Sequence, residues 1–400
     1  MECSKPKFAA SLSLASATED AVAEVLREAL EGLSAPVDLA MVFVSPHHKA
    51  HLETIARQLC EKLGTRNLFG CTGEAIVGNG REAEDTPAIS LWVAHLPETT
   101  ILPMHLEFQR TPDGGTIVGW SEQLPPAWEA DSAALVLGEP FSFPADLLLE
   151  RINEDHPGVP VIGGMASGGY QPGENLLIFG DQVLESGGIL IYLQGAVQVR
   201  WLVSQGCRPI GEPMVITKAE RNIIYELGGM PALVRLEKLF RELPVADQQL
   251  VNNGLHVGRV VDEYQESRAQ GDFLVRNVVG IEKDAGALMI GDYVRTGQTV
   301  QFHIRDEVSA DAELRQLSAA AGRQAGKADT ALLFTCNGRG TRLFSGPHHD
   351  AACLSSALGD LPMAGFFAMG EMGPIGTKNF LHGFTASVAL LGPKPDSAEA

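Results

Sequence analysis

The order of elements along the sequence predicts an α/β chain of mixed α+β character, with two domains whose mixed β-sheets are covered by helices. Three observations carry that expectation. Short continuous apolar runs alternate with amphipathic helical stretches. A strand–helix–strand–glycine-rich loop–strand unit, weakly repeated, occurs three times. Between its second and third copies lies a β-meander of different character.

The first copy opens with a helix over 19–33, where Val22, Val25, Leu26, Leu30 and Leu33 share one face and Thr18 offers an N-cap. The run after Asp38, LAMVFVS, reads as a buried strand. A second helix places Leu52, Ile55, Ala56, Leu59 and Leu63 on one face and stops at Gly64. A strand ending in Asn67-LFG, the loop CTGEAIVGNG and the strand AISLWVAHL follow. The second copy starts at Ser132 with AALVLGEPFSF, a helix from Pro144, PVIGGMASGGYQPG and GGILIYLQG. The third starts at Asp329 with TALLFTCNGRG, a helix from about Pro347, PMAGFFAMGEMGPIG and FTASVALL. Ser45-Pro46-His47-His48 matches Gly346-Pro347-His348-His349, and Phe69-x-x-x-Gly73-Glu74 matches Phe366-x-x-x-Gly370-Glu371.

The intervening stretch reads as a strand from Val199, a helix near Pro231 with Leu233, Leu236, Leu239 and Phe240 inward, and a meander from Phe273 to Arg305. Its last strand puts Val300, Phe302 and Ile304 on one face, with Gln301, His303 and Arg305 on the other. Ser309 to Lys327 reads as an alanine-rich helix. The domain boundary is expected in the Gly/Pro-rich turn at 205–215. Residues 1–37 are expected to pack on a first domain over 38–210, a second domain to run 211–392, and 393–400 to be a disordered tail.

A net charge of −20 over 400 residues argues against nucleic acid and against an anionic membrane surface, since both select basic surfaces. The N-terminal MECSKPKFAASLSLAS lacks a continuous apolar core and reads as no signal peptide; no apolar run reaches the length of a membrane span. Cysteines 3, 60, 71, 207, 336 and 353 show no paired metal-ligand spacing and read as reduced thiols. The expected compartment is the cytoplasm.

Phosphate-loop, HExxH, GxSxG and dinucleotide-fingerprint motifs are missing from the sequence, which removes the commonest enzyme classes. The leading candidate site is Thr335-Cys336-Asn337-Gly338-Arg339-Gly340, at a strand end where α/β sheets bind ligands. Arg339 suits a carboxylate or phosphate bound in bidentate fashion, or else an ion pair with Asp350 or Glu371. Cys336 with His348, His349 and Asp350 fits a nucleophile, base and orienter set, or a small cysteine packed at a strand end. The adjacent pairs His47-His48 and His348-His349 point apart and make poor chelates. His382 could bond a ligand carboxylate or hold the loop's carbonyls. Glu371 and Glu74 could bind an amine or cap loop amides. The ligand-binding set read here is Cys336, Asn337, Arg339, His348, His349, Asp350, Glu371 and His382, with no catalytic residue and no metal ligand assigned.

At these segments the chain resembles the FIST family, named for F-box and intracellular signal transduction proteins. The resemblance rests on ALLFTCNGRGTRLFSGPHHDAA, PMAGFFAMGEMGPIGTKNFLHGFTASVAL, FLVRNVVGIEKDAGALMIGDYVRTGQTVQFHIRD and QGCRPIGEPMVITKAERNIIYELGGMPAL, and it extends from about 38 to 391. It implies a FIST N-type domain, a FIST C-type domain and a cytoplasmic, non-enzymatic small-ligand sensor with amino acids as ligand class. Some members carry haem and sense nitric oxide, so haem is the one cofactor the resemblance leaves open. Nothing in the chain resembles an output domain, so a separate signalling protein is the expected partner; the sequence assigns no oligomeric state. The leading expectation is an amino acid between the two domains, its carboxylate near Arg339 and its ammonium near Glu371. A haem-based gas sensor, a Cys336-dependent hydrolase or transferase and a protein-interaction scaffold are the alternatives.

Overall fold

Strands Leu39–Val44, Ala133–Gly138 and Thr330–Cys336 are apolar at nearly every position because both faces of each are covered. They are the first strands of the three copies in a computed structural model that describes residues 5–112, 114–263, 270–324 and 328–394. Each copy builds its own sheet. Parallel to the first strand runs a second: Leu68–Thr72, Val161–Met165 and Met363–Ala368 respectively. On the other side lies, antiparallel, the copy's last strand: Ile89–His95, Gly188–Gly195 or Ala386–Pro393. Beyond it lies a strand from ahead of the copy: Lys7–Ser13, Thr99–Gln109 or Val197–Ser204.

In the first and third copies the glycine-rich segment itself supplies the first strand of a short β-hairpin, in the second the hairpin follows an irregular stretch over 166–176, and none of the three hairpins stays in its own sheet. The first copy's hairpin, Ile76–Gly78 with Arg81–Ala83, extends the third sheet. The second copy's, Leu177–Phe179 with Gln182–Leu184, extends the first sheet. The third copy's, Glu371–Ile375 with Lys378–His382, extends the second. The exchange is cyclic, and each hairpin covers an edge that the second strand would otherwise expose.

Register settles which residues correspond. Gly70 pairs with Val42 and Ile178, Gly163 with Val136 and Met372, and Gly365 with Leu333 and Val77. The structural counterpart of Glu371 is therefore Ile76, not Glu74, and the Phe-x-x-x-Gly-Glu match is two residues out of register. The three equivalent glycines are required by close backbone approach. A Cβ would lie 1.9 Å from the Val42 carbonyl oxygen at Gly70, 1.8 Å from that of Val136 at Gly163 and 1.8 Å from that of Leu333 at Gly365.

The inner faces of the three sheets share one apolar cluster. In it Phe43 stacks on Phe366 at 5.2 Å and meets Phe334 edge-on at 6.3 Å, and Phe334 and Phe366 are 5.8 Å apart. Outer faces are covered by helices. Thr18–Gly32 and Leu52–Leu63 cover the first sheet, Ala145–Asp155 the second, and His349–Leu358 with the end of Glu307–Arg323 the third. Gly64 ends its helix as expected, at φ 67° with its N–H on the Cys60 carbonyl at 3.1 Å. Thr18 is not the cap; the N-cap position is Ala17, and the Thr18 hydroxyl instead meets His48 Nδ1 at 2.9 Å.

The chain divides into two compact units, cut between Val203 and Ser204 and again between Glu313 and Leu314. The first cut falls beside the expected turn. The second departs from a domain running 211–392, because the third copy closes its sheet with strand and hairpin from the N-terminal half. The last strand extends to Pro393; the rest of the tail, from 395 on, lies outside the described residues.

Among the described residues of 204–313, six strands close into a barrel. Strand Cys207–Glu220 pairs with Thr299–Arg305 through its first part and with Ile223–Leu227 through its second, after a register shift between Ile210 and Met214. His256–Val260, Phe273–Glu282 and Ala287–Ile290 complete the circuit, with Met230–Pro231 outside it and helices Ala232–Glu242 and Val245–Asn253 packed on it. Val300, Phe302 and Ile304 face the core as the alternation requires, but His303 on the opposite face is buried too, its ring edge-on to Phe273 at 5.0 Å. That burial pushes the His303 imidazole down to about 4.

Gly163→Ala is expected to lose about 3 kcal/mol or more in urea unfolding, because the new methyl meets backbone rather than a movable side chain. Gly346→Ala, whose Cβ meets nothing within 4 Å, should stay within about 0.5 kcal/mol of wild type.

Candidate functional site

Strand Thr330–Cys336 ends in a tight turn, with the Arg339 N–H on the Cys336 carbonyl at 2.8 Å. Gly340 follows at φ 57°, where a Cβ would strike the Glu84 carboxyl at 2.7 Å. This turn sends Arg339 inward. Its side chain is fully buried and grips Asp350 in bidentate fashion, Nε to Oδ2 at 2.7 Å and Nη2 to Oδ1 at 2.8 Å. Asp350 also accepts from Thr335 Oγ1 at 2.6 Å and lies 2.9 Å from His349 Nδ1. Burial opposes its ionisation, but Arg339 and these hydrogen bonds hold its carboxyl well below the usual carboxylate range. Phe344 closes the cluster, with Arg339 5.2 Å over its ring and His349 stacked on it.

The first copy's hairpin bolts onto this cluster. Glu82 Oε1 accepts the Ala351 N–H at 2.9 Å, at the start of helix His349–Leu358, and the Glu82 N–H donates to His348 Nδ1 at 3.0 Å. His348 sits at φ 64° to make that contact. Glu84 accepts from the Thr341 amide at 3.0 Å and hydroxyl at 2.7 Å. Glu82 is 2% exposed, and its Oε2 has no hydrogen-bond partner among the described residues. Burial, reinforced by nearby Asp350, pushes its carboxyl up to about 8.

Several expected ligand residues thus have internal partners. Arg339 spends its bidentate edge on Asp350. Glu371, also fully buried, accepts the Thr385 N–H at 3.1 Å, and His382 Nε2 meets the Gly373 carbonyl at 2.9 Å. These two tie the base of the third hairpin, where they are cross-strand neighbours. A carboxylate at Arg339 with an ammonium at Glu371 would have to break both arrangements, so the structure does not support that placement. Cys336 and Asn337 remain half-buried at the strand end; Cys336 Sγ accepts from the Gly338 N–H at 3.4 Å. Among the described residues, no group of three or more His, Cys, Asp or Glu is arranged to hold a metal ion.

Above the buried cluster, loops of all three copies meet. Arg342, its side chain 55% exposed, forms an ion pair with Glu74 of the first copy and donates from Nη1 to the Asn337 carbonyl at 2.9 Å. The Glu74 N–H donates to Ser167 Oγ of the second copy at 2.8 Å, and Ser167 Oγ donates to the Phe367 carbonyl of the third. Tyr170, 69% exposed, lies beside Arg342. Its loop is held by Glu174 Oε2, which accepts the Tyr170 N–H at 2.7 Å, and by Lys49 Nζ on the Glu174 carbonyl. Sequence reasoning found Glu74 and the Cys336–Asn337 turn here but missed Arg342, Tyr170, Ser167, Glu82 and Glu84. Their only signal was proximity in sequence to glycine-rich segments.

The three interlocked repeats, with the barrel segment lying between the second and third in sequence, define a chain of two structural units. The FIST N domain matches residues 38–230 and the FIST C domain residues 232–374, so the chain belongs to the FIST family. FIST domains are small-ligand sensory domains. An uncharacterized protein of Mycobacterium tuberculosis is 41% identical over 372 residues, covering 92% of this chain and 95% of the relative. An uncharacterized protein of Mycobacterium bovis is 42% identical over 354 residues, covering 88% and 90%. Among the described residues no helix is long and apolar enough to cross a membrane.

Arg339→Met should cost about 3–5 kcal/mol in denaturant unfolding, because it strands Asp350 as an unpaired buried charge. Glu82 contributes a pH dependence of definite sign. Its folded pKa of about 8 lies above the unfolded value of 4.5, so the unfolded chain ionises first and stability falls as pH rises between those values. The slope is at most about 1.4 kcal/mol per pH unit. Glu82→Gln should remove that decline, seen as a smaller Tm difference between pH 5 and pH 8 than in wild type.

Proposed function

We propose that this chain is a non-enzymatic small-ligand sensor in intracellular signal transduction, and that its ligand is an amino acid or related carboxylate bound on the three-loop face. The observation that carries the reading is the exposed Arg342–Glu74 ion pair, which joins loops of different copies at the strand ends. A zwitterion can replace each partner of that pair for the other. Its carboxylate takes the Arg342 guanidinium in bidentate fashion, and its ammonium takes the Glu74 carboxylate. The half-buried Cys336 and Asn337 and the phenol of Tyr170 flank the position.

A ligand there touches loops of all three copies, and it shifts their arrangement by no more than its differential affinity for the two states. On this reading the signal passes to a separate protein. The compartment is the cytoplasm on this reading, consistent with the net charge of −20 and scattered thiols.

A thermal-shift screen against the amino acids and simple carboxylates tests the proposal. A true ligand at a hundredfold its Kd stabilises by about 2.7 kcal/mol. Arg342→Ala should weaken binding at least about tenfold with little change in the unliganded Tm, because the side chain is more than half exposed. Undiminished affinity in that variant would remove the ligand from this face.

A further inference from the structure

We propose that the first copy's hairpin is a proton-operated latch: Glu82 grips the segment 340–351 of the third copy while its carboxyl is neutral and releases it when that carboxyl ionises. The latch lies wholly within the larger unit. Its effect on ligand binding rests on the reading of Arg342 given above, because the segment it holds carries that residue.

Three observations carry the proposal. The first is the balance of charge around Glu82. Asp350, fully buried, faces it from the third copy, and so does Arg339, whose Nε and Nη2 are committed to Asp350. His349 places Nδ1 2.9 Å from Asp350, and His348 accepts the Glu82 N–H and so carries no proton on Nδ1. On its own hairpin Glu84 adds a further negative charge, while Arg81 is exposed. An ionised Glu82 therefore sits against Asp350 where the nearest guanidinium is already engaged, and burial penalises the charge further. Both causes raise its pKa to about 8, burial the larger.

The second is how the carboxyl is held. Oε1 accepts the Ala351 N–H at 2.9 Å, but Oε2 has no hydrogen-bond partner among the described residues. A carboxylate in that position keeps a buried oxygen unsolvated. The third is a way out. A cavity of about 330 Å³ adjoins the hairpin, lined by Leu12, Leu14, Glu82, Glu84, Thr341 and His348. Withdrawal of Arg81–Ala83 toward it leaves Ile76–Gly78 paired in the third sheet. It also frees His348 from φ 64°, a conformation that residues with a Cβ seldom adopt.

The sign follows from linkage. Released, Glu82 ionises near 4.5; latched, near 8. The open population rises by up to about tenfold per pH unit between those values and levels off above them. Opening loosens the segment around Thr341 and Arg342, so a ligand that needs Arg342 held in place binds more weakly as pH rises.

Native-state hydrogen exchange between pH 5 and pH 9 tests the latch without any ligand. The amides to follow are Thr341 and Ala351, whose acceptors are Glu84 and Glu82, with Val136 of the second sheet as the reference for global unfolding. After correction for intrinsic exchange, opening at Thr341 and Ala351 should rise at least about 30-fold from pH 5 to pH 8. It should exceed opening at Val136 and depend less on denaturant. Glu82→Gln should flatten the rise, and carbon-13 NMR of the wild-type chain should show the Glu82 carboxyl titrating above pH 7. The proposal is overturned if the two amides open only together with Val136, if their opening does not change with pH, if the rise persists in Glu82→Gln, or if Glu82 titrates in the ordinary carboxylate range. Those outcomes leave the ligand face standing, whereas undiminished ligand affinity in Arg342→Ala removes that face and leaves the latch.

Discussion

Everything in the larger unit depends on the cyclic exchange of three short hairpins. Two of the sheets have four strands supplied by their own copy and by chain ahead of it, the second has five with Thr116–Val118, and each takes two more from another copy. A three-residue strand such as Ile76–Gly78 gains little alone, since isolated hairpins are marginal in water. Inserted beside Met363–Ala368 it completes a sheet and covers an edge. The approach is possible because Gly70, Gly163 and Gly365 let neighbouring backbones close to distances that no Cβ allows. Removing any one copy therefore uncovers an edge of one remaining sheet and leaves the other remaining copy's hairpin without a sheet to join.

Charge then fixes what apolar packing alone would leave free to slide. Glu82 and Glu84 cross from the first copy to cap backbone of the third, and the Arg339–Asp350 pair holds that third loop rigid beneath. Buried ion pairs add little net stability, but once formed they punish any arrangement that separates them. The result places a rigid buried network under a more exposed face, where Arg342 and Tyr170 reach solvent. That division of labour suits a sensor, which needs a fixed scaffold and adjustable contacts above it.

The repeat itself was legible. Continuous apolar strands, the Gly64 helix stop and the recurring element order all follow from local patterns, and the resemblance to FIST proteins rested on motifs that lie largely, though for the segment 362–390 only in part, within the matched domains. The exchange was not legible, because pairing partners of three-residue strands in glycine-rich segments leave no periodic trace. The same gap misaligned Glu74 with Glu371, which share a Gly-Glu dipeptide but sit two residues apart in sheet register. Arg339 was seen as either a ligand group or a partner of Asp350, and only the inward turn at Gly340 decides for the latter. Glu82 offered nothing beyond its place next to a glycine-rich segment: its burial is created by the third copy, almost 270 residues away in sequence.

The central claim, that the three copies form one interlocked unit, is tested most directly by native-state hydrogen exchange resolved along the chain. Amides of the three first strands, at Val42, Val136 and Leu333, should exchange with one common opening free energy and one common denaturant dependence, since each sheet needs another copy's hairpin. Three separate opening energies, with one sheet exchanging while the other two stay protected, would show that the copies fold independently and would contradict the account.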